Sequence, residues 1–434
     1  MTKTYETYKD SGIAWIGQIP SGWKIDKGKH VLSVLSKQVL DTDEVITCFR
    51  DGEVVLRSER RTEGFTMSDK EIGYQHIDKG DLVIHGMDGF AGSMGISKST
   101  GKGSPVLIVC NPIKDNADYL MYYLRILAST NVFLSLSTGI RERSCDLKWN
   151  KISVLPFTIP PITEQASIAT FLDTKCSEID SLISLQEEMI SELQAYKQSV
   201  ITEAVTKGLN PNVPMKDSGV EWIGEIPEKW IVKPFKSIYI TTKGLNITKA
   251  DLVEKGIPVL SYGQIHSKEN PGTQINDLLF RFVPDTYITT APDCLVQKGC
   301  FLIADTSEDR EGCGNAIYVD RDMKLFAGYH TIIAKPIIEG DNKYLAYLFL
   351  TNNWRHQIRS KVSGIKVFSV NQKYIRATSV ILPPKSEQIQ IVDYLDEKTA
   401  QIDSLISIKQ EKIQELKDYK KSIIYEYVTG KKRV

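Results

Sequence analysis

Pro160-Pro161-Ile162-Thr163-Glu164-Gln165 opens the stretch that decides the fold, and the chain returns to it more than 200 residues later as Pro383-Pro384-Lys385-Ser386-Glu387-Gln388. The match runs on through Phe171-Leu172-Asp173 against Tyr394-Leu395-Asp396, then through Ile179-Asp180-Ser181-Leu182-Ile183-Ser184 against Ile402–Ser407, and ends near Tyr196-Lys197 and Tyr419-Lys420. About half of some 47 aligned positions are identical, which marks an internal repeat. Apolar residues step by three and four: Leu172, Ile179, Leu182, Met189, Leu193, Tyr196 and Val200 in the first copy, Leu395, Ile402, Leu405, Leu416, Tyr419 and Ile423 in the second. Such a stripe predicts a heptad-patterned helix in each copy. The proline pairs sit just upstream, where they interrupt nothing, and Gly208 and Gly430 are candidate stops. Each helix is then about 40 residues, or roughly 60 Å long. A lone helix of that length has no core for its stripe, so the two are expected to pack on each other. Gln186 and Lys409 fall at matched seam positions. Either they fix register at a cost in stability, or the seam is partly solvated there.

A second repeated segment lies upstream of each helix. Lys9-Asp-Ser-Gly-Ile-Ala-Trp-Ile-Gly-Gln-Ile-Pro-Ser-Gly-Trp23 matches Lys216-Asp-Ser-Gly-Val-Glu-Trp-Ile-Gly-Glu-Ile-Pro-Glu-Lys-Trp230. About two thirds of these positions are identical, and a period this long is a domain duplication, since solenoid and propeller repeats recur every 20–50 residues or so. The interiors differ. Arg50-Asp-Gly-Glu-Val-Val-Leu-Arg57 has no counterpart in the second half, and only anchors survive, such as Lys79-Gly80 with Lys298-Gly299, Tyr119-Leu120 with Tyr344-Leu345, and Gly139-Ile140 with Gly364-Ile365. A shared frame around dissimilar interiors points to two similar modules that read two different things. Those interiors read as mixed α/β. Strands are expected at Gly80–Ile84 and Gly299–Ile303. Amphipathic helices are expected at Asp118–Leu127 and Tyr344–Ile358, capped by Asn116 and Asn342.

Composition narrows the function classes. The 434 residues are 41% hydrophobic and 25% charged, ordinary for a folded chain. With 54 Lys+Arg against 54 Asp+Glu, bulk charge does not point to nucleic acid. No apolar run approaches the roughly 20 residues of a membrane span, and the polar start lacks a signal-peptide core, so the cytoplasm is the expected compartment. Seven cysteines in an odd, unclustered set are expected to be free thiols. No phosphate loop, dinucleotide fingerprint, Asn-Pro-Pro-aromatic run or paired-histidine metal motif is present. The acidic Asp305–Glu311 stretch reads as a solvated loop. Local charge is the remaining signal. From Lys343 to Lys385 there are eight Lys and Arg and no acid, including Arg355, Arg359, Lys361, Lys366, Lys373 and Arg376, interleaved with Tyr344, Tyr347, Trp354, Phe368 and Tyr374. In the first half Arg57, Arg60, Arg61, Arg141, Arg143 and Lys148 are the comparable candidates. Such cations neutralise phosphates, and Arg also reads guanine edges.

The doubled Lys-Asp-Ser-Gly-x-x-Trp-Ile-Gly-x-Ile-Pro and the doubled Pro-Pro-x-x-Glu-Gln resemble the specificity subunit of type I restriction-modification systems, over nearly the whole chain and in the expected order. The resemblance implies an α+β chain with target-recognition domains at 1–159 and 209–382, each followed by a long helix, at 160–208 and 383–434. It implies that the helices run antiparallel and hold the domains apart. Each domain would read one half of an asymmetric, bipartite site in double-stranded DNA across an unread spacer set by the helices. The chain itself would carry no catalysis, cofactor or metal. Two modification subunits would dock on it, bind S-adenosylmethionine and methylate adenine, and restriction subunits using ATP and magnesium would join them. Leu172, Ile179, Leu182, Leu193, Tyr196, Leu395, Ile402, Leu405, Leu416 and Tyr419 then become helix-pairing or subunit-docking candidates. Ser137-Thr-Gly139-Ile-Arg141 and Ser363-Gly364-Ile-Lys366 resemble the family's basic turn before the last strand of each domain. Two other readings stay open: a protein-interaction scaffold whose helices are the function, and a DNA-modifying enzyme with an unrecognised site.

Overall fold

The computed structural model describes residues 4–60, 71–136, 146–337, 342–364 and 366–434. Two helices, Ile162–Lys207 of 46 residues and Lys385–Val428 of 44, carry the repeated stretches. Their inward positions lie exactly one repeat apart, 223 residues, along the whole length. Leu172, Cys176, Ile179, Ile183, Gln186, Ile190, Leu193, Lys197, Val200 and Ala204 in the first correspond to Leu395, Thr399, Ile402, Ile406, Lys409, Ile413, Leu416, Lys420, Ile423 and Tyr427 in the second, all buried or half-buried. Steps alternating between three and four make this a coiled-coil seam. Gln186 and Lys409 lie in it, half-buried.

Hydrophobicity alone misplaces part of this stripe. Leu172, Ile179, Leu395 and Ile402 are buried, and Leu193 and Leu416 are half-buried. Leu182, Tyr196, Leu405 and Tyr419 are about half exposed and stand one residue before the seam positions Ile183, Lys197, Ile406 and Lys420. The seam tolerates Lys197 and Lys420 because each meets a carboxylate across it. Lys420 Nζ lies 2.6 Å from Asp180, and Lys197 Nζ 2.7 Å from Asp403, the same pair of positions taken once from each repeat.

The chain divides into two compact units, Met1–Glu187 with Gln410–Val434, and Glu188–Lys409. Each unit therefore holds the first part of one long helix and the last part of the other. Within the first unit Phe171 packs against Tyr427 with ring centroids 4.4 Å apart, and Asp180 meets Lys420, so the two helices run antiparallel. In the second unit Met189 meets Lys409 and Lys197 meets Asp403, with the same direction.

The upstream repeat builds the seat on which the opposite helix ends. In both copies the Asp of Lys-Asp-Ser-Gly accepts from the glycine N–H two residues on, at 3.0 Å for Asp10 and 2.9 Å for Asp217, and a two-stranded hairpin follows. Trp23 and Trp230, which close the motif, are fully buried. A Cβ added at Gly430 would lie 3.2 Å from the Trp23 ring and one at Gly208 3.2 Å from the Trp230 ring, and both glycines have positive φ. Each helix thus stops on a left-handed residue that only glycine fits, pressed on a tryptophan. Paired tyrosines complete the seat. Tyr119 Oη donates to Val428 O and Tyr344 Oη to Val205 O, at the ends of the two helices. Tyr122 Oη donates to Asp173 and Tyr347 Oη to Asp396, near the helix starts.

The interiors share more topology than sequence. In the first unit Leu32–Val34, Leu107–Pro112, Leu82–His85 and Met94–Ile96 form, in that order, an antiparallel sheet. In the second Tyr239–Lys243, Thr331–Pro336, Phe301–Ala304 and Ala316–Tyr318 repeat the order. The expected turn-glycine strands are the third member of each. A helix follows each sheet, Ala117–Ser129 with the Asn116 side chain as cap, and Lys343–Leu350 with Asn352–Arg359. Asn342 makes no side-chain cap, and Tyr344–Ile358 is two helices broken at Thr351, which caps the second through its hydroxyl. A last strand, Pro156–Ile159 or Ser379–Leu382, returns to pair beside the hairpin. Around this common core the decoration differs. The second unit adds a four-stranded sheet of Arg281–Val283, Ile257–Leu260, Leu325–Ala327 and Leu295–Val296, whereas the first has, among the described residues, two small two-stranded ribbons.

Candidate nucleic-acid interface

The basic run of the second unit splits into an inward and an outward set. On Asn352–Arg359, Trp354 and Ile358 face the core, and Arg355 and Arg359, each one residue further on, follow them inward. Arg355 Nε donates to Phe349 O at 3.0 Å, and burial beside the Arg359 charge lowers its pKa to about 10. Arg359 is 6% exposed and donates to Asn352 Oδ1 and to the carbonyl and carboxylate of Glu311. Both arginines, expected as DNA contacts, are held by bonds within the unit. Lys361 and Lys366 in the following loop, and Lys373 and Arg376 on the Gln372–Arg376 turn, are exposed.

The acidic loop beside them is exposed from Glu308 to Glu311, as a solvated segment is expected to be, and is anchored at its start. Thr306–Ser307 pairs with Phe368–Ser369, a few residues beyond Ser363 and Gly364 in the chain. Asp305 Oδ1 lies 3.0 Å from His330 Nδ1, Asp309 accepts from Gly312 N–H, and Glu311 holds Arg359. His330 adopts φ 54°, a conformation that costs a non-glycine residue about 1–3 kcal/mol and is concentrated at functional sites. Its ring lies 5.5 Å from Tyr262 and 6.1 Å from Tyr329, and the Tyr262 ring lies 6.3 Å from His266. This aromatic and imidazole group was missed in the sequence because its members come from separate segments. Asp305–His330 spacing carries no periodic signal.

In the first unit Arg60 bonds Asp51 and Glu53 and lies 4.4 Å over the Phe49 ring, and the Asp51 bond raises its pKa. Arg57 is half-buried with Nε on Thr47 Oγ1 at 3.3 Å. Both make contacts to the Ile46–Leu56 ribbon. Lys148 is exposed, 3.4 Å from Asp146. Arg61, Arg141, Arg143 and the Ser137–Arg141 turn lie outside the described residues. Six cysteines among the described residues are free, and burial pushes the Cys48 and Cys110 thiols up to about 12. Among the described residues no cluster of His, Cys, Asp and Glu could hold a metal, and no helix is long and apolar enough to cross a membrane.

A family model described as a type I restriction modification DNA specificity domain matches residues 227–418, from the second seat into the second helix. Residues 227–418 are similar to a type I specificity domain. The resemblance read from the chain's doubled motifs is borne out by full-length similarity. The putative type I restriction enzyme MjaX specificity subunit of Methanocaldococcus jannaschii is 24% identical over 461 residues, covering 96% of each chain. The MjaVIII specificity subunit of the same organism is 26% identical over 355 residues, 80% of this chain and 76% of that one. Among solved structures, a chain from work on complex assembly and conformational transition of the type I R-M system matches with TM-score 0.68 at 14% identity, over 94% of this chain and 98% of that one. The HsdS subunit from Thermoanaerobacter tengcongensis matches with TM-score 0.50 at 15% identity, over 97% and 99%. The fold of the type I specificity domain is therefore shared across both units.

Proposed function

We propose that this chain is the non-catalytic specificity subunit of a type I restriction-modification complex, and that its two units read the two halves of an asymmetric, bipartite site in double-stranded DNA. The observation that carries this reading is the combination of one repeated sheet, seat and helix with two different decorations. Two identical readers would need identical interiors. Exposed Lys361, Lys366, Lys373 and Arg376 supply phosphate contacts for the second reader, beside the Tyr262, Tyr329 and His330 group. The paired helices set the unread spacer. Methylating and restricting activities, with S-adenosylmethionine, ATP and magnesium, belong to partner subunits.

The exposed apolar residues of the helices support docking of a partner in two copies. Leu182, Leu185 and Tyr419 of the first unit, and Leu405, Ile408 and Tyr196 of the second, occupy matched repeat positions and are each 47–58% exposed. Apolar side chains repeated in this way suit the same protein surface bound twice. Two modification subunits fit that requirement. Co-expression with a modification subunit and methylation-aware sequencing tests the whole reading. Methylated adenines in a two-part, non-palindromic motif are expected. A palindromic motif removes the two-reader argument. Methylation without any sequence preference favours a scaffold role.

A further inference from the structure

In the first unit a cavity of about 610 Å³ opens between the recognition domain and the second long helix, within the size range of small-ligand pockets, roughly 300–1,000 Å³. Arg50 and Arg125 line it from the domain, and Lys417, Lys420 and Lys421 from the helix. Some of these charges are already used. Lys420 meets Asp180 at 2.6 Å, Arg50 meets Asp88 at 2.9 Å, and Lys421 meets Asp418 at 3.2 Å. Lys417 makes no ion pair among the described residues. Arg125 is the anomaly. Its guanidinium lies so close over Gly52 that a Cβ there would sit 1.8 Å from Nη2. Its Nε is buried without a hydrogen-bond partner, and its one bond among the described residues, from Nη2 to Asp51 O, is stretched to 3.5 Å. A guanidinium carries five donors, and a partly buried one with a single weak bond is a cost that calls for an anion.

The other repeat is an internal control. Lys417 and Lys421 correspond there to Gln194 and Gln198, and Arg125, by the Tyr119 and Tyr344 match, to Leu350. Gln198 Nε2 donates to Leu350 O at 3.2 Å, so in the second unit a neutral contact joins the corresponding positions. Neither helix pairing nor domain seating needs the three cations. They are an addition particular to the first unit.

We propose that this cavity is a phosphate-binding site, in which one phosphate group is held between Arg125 and the Lys417 and Lys421 ammonium groups. A planar fork faced by point charges matches the several oxygens of a phosphate better than the two of a carboxylate. The phosphate comes either from a free phosphorylated molecule or from the backbone of bound DNA, and only the second source rests on the reading above.

The test imports the second unit's own residues, as Arg125→Leu, Lys417→Gln and Lys421→Gln together in the full chain. Thermal unfolding is followed in inorganic phosphate against chloride at equal ionic strength, and duplex affinity is followed against salt. Wild type stabilised by phosphate, with a variant that no longer responds, identifies a free phosphate. A variant whose plot of log affinity against log salt is shallower by about one to three, near 0.9 per phosphate, identifies the DNA backbone. Equal phosphate response and equal salt slope in the two proteins overturn the proposal. Wild-type affinity for duplex tests the DNA reading on its own. Should the triple variant unfold, the exposed pair Lys417→Gln and Lys421→Gln carries the same comparison.

Discussion

If the paired helices set the unread gap, lengthening both by one heptad lengthens the gap by a calculable amount. The structure decides where the residues must go. The helix ends are fixed: Gly430 sits on Trp23, Gly208 on Trp230, and Val428 and Val205 accept from Tyr119 and Tyr344. Ala204, Val205 and Thr206 are buried, so an insertion there pulls the second seat apart. The middle is free of such anchors. Seven residues inserted after Glu187 and seven more after Gln410, the matched position, preserve the alternation of three and four on both helices. Each helix grows by about 10.5 Å at 1.5 Å per residue. At about 3.4 Å per base pair along one strand, the gap should increase by three base pairs. The duplex turns through about 100° over that length, at 10–10.5 base pairs per turn, so weaker binding is expected with the longer gap. A four-residue insertion in one helix alone is the control. It puts the seam out of phase and separates Lys197 from Asp403, and loss of modification is expected. Methylation mapping of cells carrying each variant reads the outcome. An unchanged gap in the double-heptad variant, or altered half-site bases, would refute the idea that the helices are a ruler.

Other expectations separate structural from reading residues. Alanine at Lys361, Lys366, Lys373 and Arg376 should weaken recognition of one half-site and flatten its salt dependence, with unfolding free energy changed by no more than about 0.5 kcal/mol. Arg359→Ala should instead destabilise the second unit by about 1–3 kcal/mol in denaturant unfolding, because it removes a buried side chain that joins Asn352 to Glu311. Tyr344→Phe leaves Val205 O without its donor and should cost about 1 kcal/mol, whereas Trp230→Ala should cost about 3–5 kcal/mol by emptying the seat. His76 lies 2.8 Å from Asp43 and 3.1 Å from Asp78, and the Asp43 bond raises its pKa above the ordinary value of about 6.5. A histidine raised in the folded state stabilises fully below its unfolded pKa and loses that contribution as pH climbs through the folded one. The stability advantage of wild type over His76→Gln should therefore shrink as pH rises from below about 6.5, and thermal melts showing it grow would reverse the charge assignment.

The frame was legible because it is written twice. Leu172 with Leu395 and Trp23 with Trp230 need no periodicity argument once the repeat is seen, and the expected strands Gly80–Ile84 and Gly299–Ile303 fall in equivalent places in the two sheets. The phase of the helix stripe was not legible from hydrophobicity, because it chooses Tyr196 over Lys197 and Tyr419 over Lys420. The cross-helix carboxylates Asp403 and Asp180 make those two lysines acceptable in the seam, and they lie more than 200 residues away in the chain. The split within the basic run was missed for a different reason. Charge composition counts Arg355 and Arg359 with Lys361, yet Trp354 and Ile358, spaced four apart, already define an inward face that carries both arginines with it. Amphipathicity could have found that. Nothing local could have found Arg125, which reads as one polar residue on the helix Ala117–Ser129. It becomes informative only when the fold lays it over Gly52 and faces it with Lys417 and Lys421, and when the second repeat shows Leu350, Gln194 and Gln198 at the corresponding positions. A duplicated chain thus contains its own comparison. Positions equal in both halves hold the frame, and a charge present in one half and absent from the other has to be explained by what that half alone binds.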